Sequence, residues 1–113
     1  MLFRSISDYK ISEKFSELIK SRNYGRFGSD GKLPVTFLAS AHTTGGNSGS
    51  PVLNAKGELV GLNFDRMWEG VITDYYYDEK LCRNICVDIR YVLFMIEKYG
   101  KAERLMSEMR IVK

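Results

Sequence analysis

Apolar positions change their spacing along the chain, and each change marks a change of backbone. Between Ser7 and Arg22, Ile11, Phe15, Leu18 and Ile19 recur at three- and four-residue steps, which places them on one face of an amphipathic helix. Asn23-Tyr24-Gly25 supplies its stop. Phe27 to Lys32 is a Gly/Ser/Asp loop, and Leu33 to Ser40 reads as a strand leading through Ala41-His42-Thr43-Thr44 into a glycine-rich segment. Two apolar runs, Pro51 to Leu53 and Glu58 to Phe64, flank Asn54-Ala55-Lys56-Gly57, whose turn chemistry predicts a β-hairpin. Asp65 to Lys80 is polar, aromatic and irregular. A short strand, Asn84 to Val87, then meets Asp88 as the N-cap of a helix whose Ile89, Val92, Leu93 and Ile96 form one apolar face ending near Gly100. Ala102, Leu105, Met106 and Met109 repeat that pattern in a final short helix, and both helical stripes are read as core packing without a ligand.

The succession of helix, strands and helices predicts an α+β fold in three sections: residues 1–32 as amphipathic helix and loop, 33–87 as strands, and 88–113 as C-terminal helices. At 113 residues and 44% apolar composition the chain suffices for one small domain. Three or four strands do not close a barrel, so the chain reads as the end of something larger. The opening helix and the unpaired strand edges need cover, which a second copy, as a homodimer, could supply.

Charge narrows the partners. The excess of 17 Lys and Arg over 14 Asp and Glu gives +3, scattered rather than gathered in a stripe, and argues against nucleic acid or a membrane surface. No apolar stretch approaches the roughly 20 residues of a membrane span. Met1-Leu2-Phe3-Arg4 does not begin a signal peptide, so if the parent protein is exported its signal is expected outside this chain. Cys82 and Cys86 are the only cysteines, without a second pair or a histidine cluster at metal-ligand spacing; no metal and no cofactor is expected. Four residues apart on an extended strand is ~13 Å, too far for a disulfide, so both are read as buried thiols that leave the redox compartment undecided.

The most informative segment is Gly45-Gly46-Asn47-Ser48-Gly49-Ser50-Pro51, framed by Val35-Thr36-Phe37-Leu38 and Val52-Leu53. It has the form of the loop that presents a nucleophilic serine in trypsin-like peptidases: glycines allow a tight turn and close approach of backbone N–H groups, and proline redirects the chain into the next strand. Ser48 is the candidate nucleophile, and the N–H groups of Gly46 and Ser48 are the candidate oxyanion donors, each donor of this kind adding roughly 2.7 to 4 kcal/mol of transition-state stabilisation. A flexible Gly/Ser loop is the bland alternative, which the strand-like flanks disfavour. His42 lies six residues upstream of Ser48 and reaches it only by a sharp fold of the loop, so a loop-stabilising or solvent-facing histidine is expected.

Four stretches carry a longer resemblance: Thr43 to Asn54, Gly61-Leu62-Asn63-Phe64-Asp65-Arg66, Trp68-Glu69-Gly70, and Val87-Asp88-Ile89-Arg90-Tyr91-Val92-Leu93-Phe94. From Leu33 onward, over about two thirds of the chain, the sequence resembles the C-terminal end of the bacterial dipeptidyl-peptidase 7 and 11 family, chymotrypsin-related serine exopeptidases. Arg66 is similar to the residue of the dipeptidyl-peptidase 11 branch, which prefers Asp or Glu beside the scissile bond. The resemblance implies a partial trypsin-like second β-barrel of three to four antiparallel strands, preceded by a helix and followed by two helices. It also implies that Ser48 is the nucleophile, that its His and Asp partners sit in a missing N-terminal part, that the partners are peptide substrates, and that the protein works in the periplasm or at the surface of a bacterium.

Asp65 and Arg66, with Phe64 beside them, are the implied substrate-binding residues: the carboxylate would hold the substrate's free α-amino group, and the guanidinium would line the pocket for the side chain beside the scissile bond. Physical chemistry agrees, since an ammonium partner makes the cleft a two-residue ruler and a guanidinium fork matches an acidic side chain bidentately. Without the serine loop the pair would be an ordinary surface Asp-Arg, contributing about 0 to 1 kcal/mol. Trp68, Tyr75, Tyr76 and Tyr77 are expected to pack the loop after this strand rather than to stack bases, because no basic groove alternates with them. Asp74 and Asp78 match no calcium loop and are expected to be solvated. The sequence therefore predicts part of an Asp/Glu-specific dipeptidyl peptidase that is inactive alone. The alternatives are a non-catalytic binding or assembly module with the same scaffold, and a Glu-specific serine endopeptidase that would use Arg66 without needing Asp65.

Overall fold

A computed structural model describes residues 10–68 and 75–112. Four strands, β1 (Thr36–Ala39), β2 (Pro51–Leu53), β3 (Leu59–Arg66) and β4 (Asn84–Asp88), form one antiparallel sheet in the order β1-β4-β3-β2. Helix α1 (Glu13–Lys20) precedes it; α2 (Ile89–Phe94), continued by a π-helical turn (Met95–Tyr99), and α3 (Glu103–Ser107) follow.

The helix start is later than the apolar spacing implied. The Ser12 hydroxyl accepts from the Phe15 N–H at 3.3 Å and caps α1 at Glu13, which leaves Ile11 outside the helix and 45% exposed. The start of that predicted span, Ser7 to Tyr9, lies outside the described residues. Strand β1 is likewise shorter than Leu33 to Ser40, because Pro34 has no N–H to donate, although the Val35 carbonyl still accepts from the Asp88 N–H at 2.8 Å. The hairpin forms where the turn chemistry placed it: Asn54 Oδ1 accepts from the N–H groups of Lys56 and Glu58 at 2.9 and 3.0 Å, and Gly57 adopts φ +77°.

The core lies between the helices rather than across the sheet. Phe27, Leu93, Phe94 and Met106 are buried together, with Phe15, Leu18 and Tyr24 packed around them. Phe27, assigned to a loop by its glycine-rich neighbours, is carried inward by a 3-10 turn, Gly25–Phe27. Phe94, outside the apolar face read for α2, is fully buried and meets the Tyr24 ring edge-on at 5.8 Å. In α3 only Met106 is buried and Leu105 is exposed; the helix stops at Ser107, so Met109, also exposed, falls beyond it.

At the sheet-to-helix junction, Asp88 caps α2 as expected. Its Oδ1 accepts from the Arg90 N–H at 2.9 Å, and the Arg90 guanidinium closes a fork on both carboxylate oxygens at 2.9 and 2.8 Å. Burial pushes the Asp88 carboxyl up, but the hydrogen bonds and charge of Arg90 outweigh it and hold the group below the ordinary Asp range. Cys82 and Cys86 are free and buried, and burial raises the Cys86 thiol pKa. No described helix is long and apolar enough to cross a membrane.

Candidate active site

The loop from Thr44 to Ser50 is fixed at both ends. Asn47 Oδ1 accepts from the Thr44 N–H at 2.7 Å while the Asn47 N–H donates to the Thr44 carbonyl at 3.3 Å, which closes a turn over Gly45-Gly46. Gly46 has φ +92° and Gly49 φ +83°, a region that side chains resist, so both positions call for glycine. At the far end the Gly49 N–H donates to the Asn63 carbonyl at 2.7 Å and the Asn63 N–H to the Ser50 carbonyl at 2.9 Å. These bonds extend the β2–β3 ladder past its Pro51–Leu62 pair into the loop.

Ser48 stands exposed between those anchors, and its hydroxyl donates to the Phe64 carbonyl at 3.3 Å. The N–H groups of Asn47, Gly49 and Ser50 are all used. Those of Gly46 and Ser48 donate to no acceptor among the described residues.

Strand β3 delivers the other candidates through a bulge. Its pairing with β4 runs Leu62–Val87 and Asn63–Cys86, then resumes at Asp65–Ile85, so Phe64 is the extra residue. A bulge leaves one residue outside the ladder and re-aims the side chains beyond it. Asn63 is accordingly buried, whereas Phe64 and Asp65 are both exposed and Arg66 is half-buried. Asp65 Oδ1 accepts from the Arg66 N–H at 2.8 Å, and the Arg66 guanidinium reaches the Thr43 carbonyl at 3.5 Å, at the mouth of the serine loop. Ser48, Phe64, Asp65 and Arg66 thus gather at one end of β3, with Gly46 in the turn before the serine.

His42 lies two residues before the loop. It is exposed, its ring 5.7 Å from that of Tyr77, whose hydroxyl donates to the Ser40 carbonyl. The other aromatics correct an expectation: Trp68 and Tyr75 are 84% and 89% exposed rather than packed. Asp78 organises a turn, its Oδ1 accepting from the Lys80 N–H at 2.9 Å and its carbonyl from the Cys82 N–H at 2.8 Å. Asp74 and Glu69-Gly70 lie outside the described residues, among which no cluster of three metal-ligating side chains occurs.

Sequence reasoning assigned no role to Asn63 and Asn84, which are 5% and 1% exposed beneath the loop. Asn63 Nδ2 donates to the Asn47 carbonyl at 3.1 Å, and Asn84 Nδ2 donates to Asn63 Oδ1 at 2.8 Å. The sequence carried no signal for it: Val60, Leu62 and Phe64 form the apolar parity of β3, so alternation alone would turn Asn63 outward with Asp65.

Chemically, this strand end offers a hydroxyl on a rigid turn, two uncommitted N–H groups, a carboxylate and a guanidinium. It offers no proton acceptor at the hydroxyl other than a backbone carbonyl among the described residues.

The family model for Peptidase S46 matches residues 3–111, and the chain belongs to that family. It is 50% identical over 105 residues to the Asp/Glu-specific dipeptidyl-peptidase of Flavobacterium psychrophilum and 44% identical over 105 residues to dipeptidyl-peptidase 7 of Porphyromonas gingivalis. Those alignments cover 93% of this chain but 15% of each relative, so the chain spans about 15% of the length of the curated relatives it matches. The crystal structure of Porphyromonas endodontalis DPP11 in complex with the dipeptide Arg-Asp superposes with a TM-score of 0.89 at 50% identity, over 95% of this chain and 16% of that one. The four-stranded sheet with its helices is accordingly a partial β-barrel with helices before and after it.

Proposed function

We propose that this chain is the nucleophile-bearing C-terminal part of a serine dipeptidyl peptidase that releases dipeptides carrying Asp or Glu beside the scissile bond. The observation that carries the proposal is the junction of the Ser48 loop with the Asp65-Arg66 end of β3, made by the Ser48–Phe64 and Arg66–Thr43 hydrogen bonds. Relatives named Asp/Glu-specific dipeptidyl-peptidases support the substrate class.

In this reading Ser48 Oγ attacks the scissile carbonyl, and a base held elsewhere in the complete polypeptide takes its proton, since a serine hydroxyl without a base is a weak nucleophile. The Gly46 and Ser48 N–H groups receive the developing oxyanion. Asp65 holds the substrate's α-ammonium, and Phe64 packs beside it. Arg66 pairs with the acidic side chain, exchanging its long contact to the Thr43 carbonyl for a charge-assisted fork. The isolated chain is inactive because it brings no base to Ser48. A periplasmic or cell-surface site of action belongs to the same proposal and rests on family resemblance.

The test is a pair of substrates that differ only in acetylation of the amino terminus, offered to the full-length peptidase. Cleavage of the free peptide with rejection of the acetylated one is expected. Equal cleavage of both would instead support a Glu-directed endopeptidase, and no cleavage with no reaction at Ser48 would support a non-catalytic module.

A further inference from the structure

Beneath the serine loop, the planar peptide between Asn47 and Ser48 has one end locked. The Asn47 carbonyl accepts from the Ser50 N–H at 3.1 Å, from the Ser50 hydroxyl at 2.5 Å and from Asn63 Nδ2 at 3.1 Å. In a trans peptide the C=O and the following N–H lie in one plane and point in opposite directions. Donors that draw the Asn47 oxygen inward therefore turn the Ser48 N–H outward, the direction an oxyanion donor needs. Of these donors only Asn63 comes from outside the loop, and its own amide is held in turn by the buried Asn84.

We propose that Asn63, supported by Asn84, is a positioning residue that sets the orientation of the Ser48 N–H for catalysis. The inference rests on the reading of Ser48 as nucleophile. Asn63 fixes the loop twice: its backbone pairs with Gly49 and Ser50, and its side chain pairs with Asn47. A hydrophobic strand residue in its place would keep the first contact and lose the second. Asn84 serves the pair through its amide nitrogen, which donates to Asn63 Oδ1 and, at 3.1 Å, to Cys86 Sγ. Its Oδ1 is buried without a partner among the described residues, an expense that an apolar packing residue would avoid. The side chain is thus explained by what its nitrogen holds.

The experiment compares the full-length parent peptidase with Ser48→Ala, Asn63→Leu, Asn63→Ser and Asn84→Leu, reading kcat, KM, melting and the rate of labelling by a fluorophosphonate. Both Asn63 variants should lower kcat about ten- to hundredfold with KM within about twofold, and slow labelling in parallel, because a misdirected oxyanion donor weakens the transition state alone. Asn84→Leu should act in the same direction and less. Asn63→Ser, which adds no bulk, carries the test if the leucine variant does not fold. An Asn63 variant that melts like the parent and keeps kcat within about twofold overturns the positioning role even when Ser48→Ala is dead. Turnover surviving in Ser48→Ala sinks the underlying nucleophile assignment and the relay with it, so the two failures read differently.

Discussion

Ser48 Oγ donates to the carbonyl of Phe64, 3.3 Å away, at the bulge that takes Phe64 out of register with β4. This relationship connects the two halves of the site. The bulge exposes Asp65 beside Phe64, and the Phe64 carbonyl gives the serine a backbone acceptor while no base among the described residues engages it. An exposed hydrogen bond of that length adds little to stability, on the order of 0.5 kcal/mol. The serine hydroxyl is therefore available for chemistry at almost no structural expense.

Asp65 is expected to act as the ammonium partner. In the full-length peptidase, Asp65→Ala should raise KM and lower kcat/KM for peptides with a free amino terminus, because their ammonium would enter a partly desolvated site without a counter-charge. Asp65→Asn should lose most of the same activity, since it keeps shape and removes charge. Steady-state kinetics on one free dipeptidyl substrate checks both; unchanged kcat/KM in either variant contradicts the role.

Arg66 should decide the substrate class. A charge-assisted pair in a restricted pocket contributes roughly 1.5 to 3 kcal/mol, so Arg66→Gly should cut kcat/KM for Asp and Glu substrates at least about tenfold and raise it for apolar ones. Arg66→Lys should fall between, keeping the charge and losing the fork. A substrate panel varied only beside the scissile bond makes the measurement, and an acidic preference that survives in Arg66→Gly would reassign Arg66 to the surface.

Much of this architecture was legible in the sequence because local chemistry dictates it. The hairpin followed from Asn54 to Gly57, and the Asp88 cap from one carboxylate before an apolar period. What escaped was long-range. Phe27 sits among residues that favour a loop, and only the approach of α2 and Phe94 makes it core. The bulge at Phe64 leaves no compositional trace, so exposure of Phe64 and Asp65 together breaks an alternation that a regular strand would keep. The serine loop was visible from its glycines; the Asn63–Asn84 pair beneath it was not, since two asparagines 21 positions apart become partners only when β3 meets β4.

Gly61 marks a close approach of the sheet. A Cβ there would lie 2.6 Å from the Val87 carbonyl oxygen and 2.7 Å from Phe37 Cε1, and the backbone contact cannot be relieved by a rotamer change. Gly61→Ala should cost about 1 to 3 kcal/mol of stability by overpacking. Thermal denaturation of parent and variant side by side checks it, and an unchanged melting temperature would show that β4 yields.

The Asp88–Arg90 fork should appear in the pH dependence of stability. The folded Asp88 carboxyl titrates below its ordinary value of 3.8, so its contribution is complete above that pH and is lost as the pH falls through the lower folded value. Asp88→Asn keeps a capping acceptor and removes the charge, whereas Asp88→Ala removes both and should cost about 0.5 to 2 kcal/mol near neutrality. Because the Arg90 side chain is half exposed, the charge part is the smaller share. Melting temperatures of parent and Asp88→Asn should converge in strong acid; a gap that persists there would assign the effect to shape instead.

The central claim is that this chain supplies the nucleophile and the base comes from elsewhere in the complete polypeptide. Fluorophosphonate labelling, with the adduct located by peptide mass, tests it most directly. The full-length peptidase should carry the adduct on Ser48, Ser48→Ala should carry none, and the isolated 113-residue chain should stay unlabelled. Labelling of the isolated chain at Ser48, or an adduct on a different serine of the full-length protein, would contradict the account.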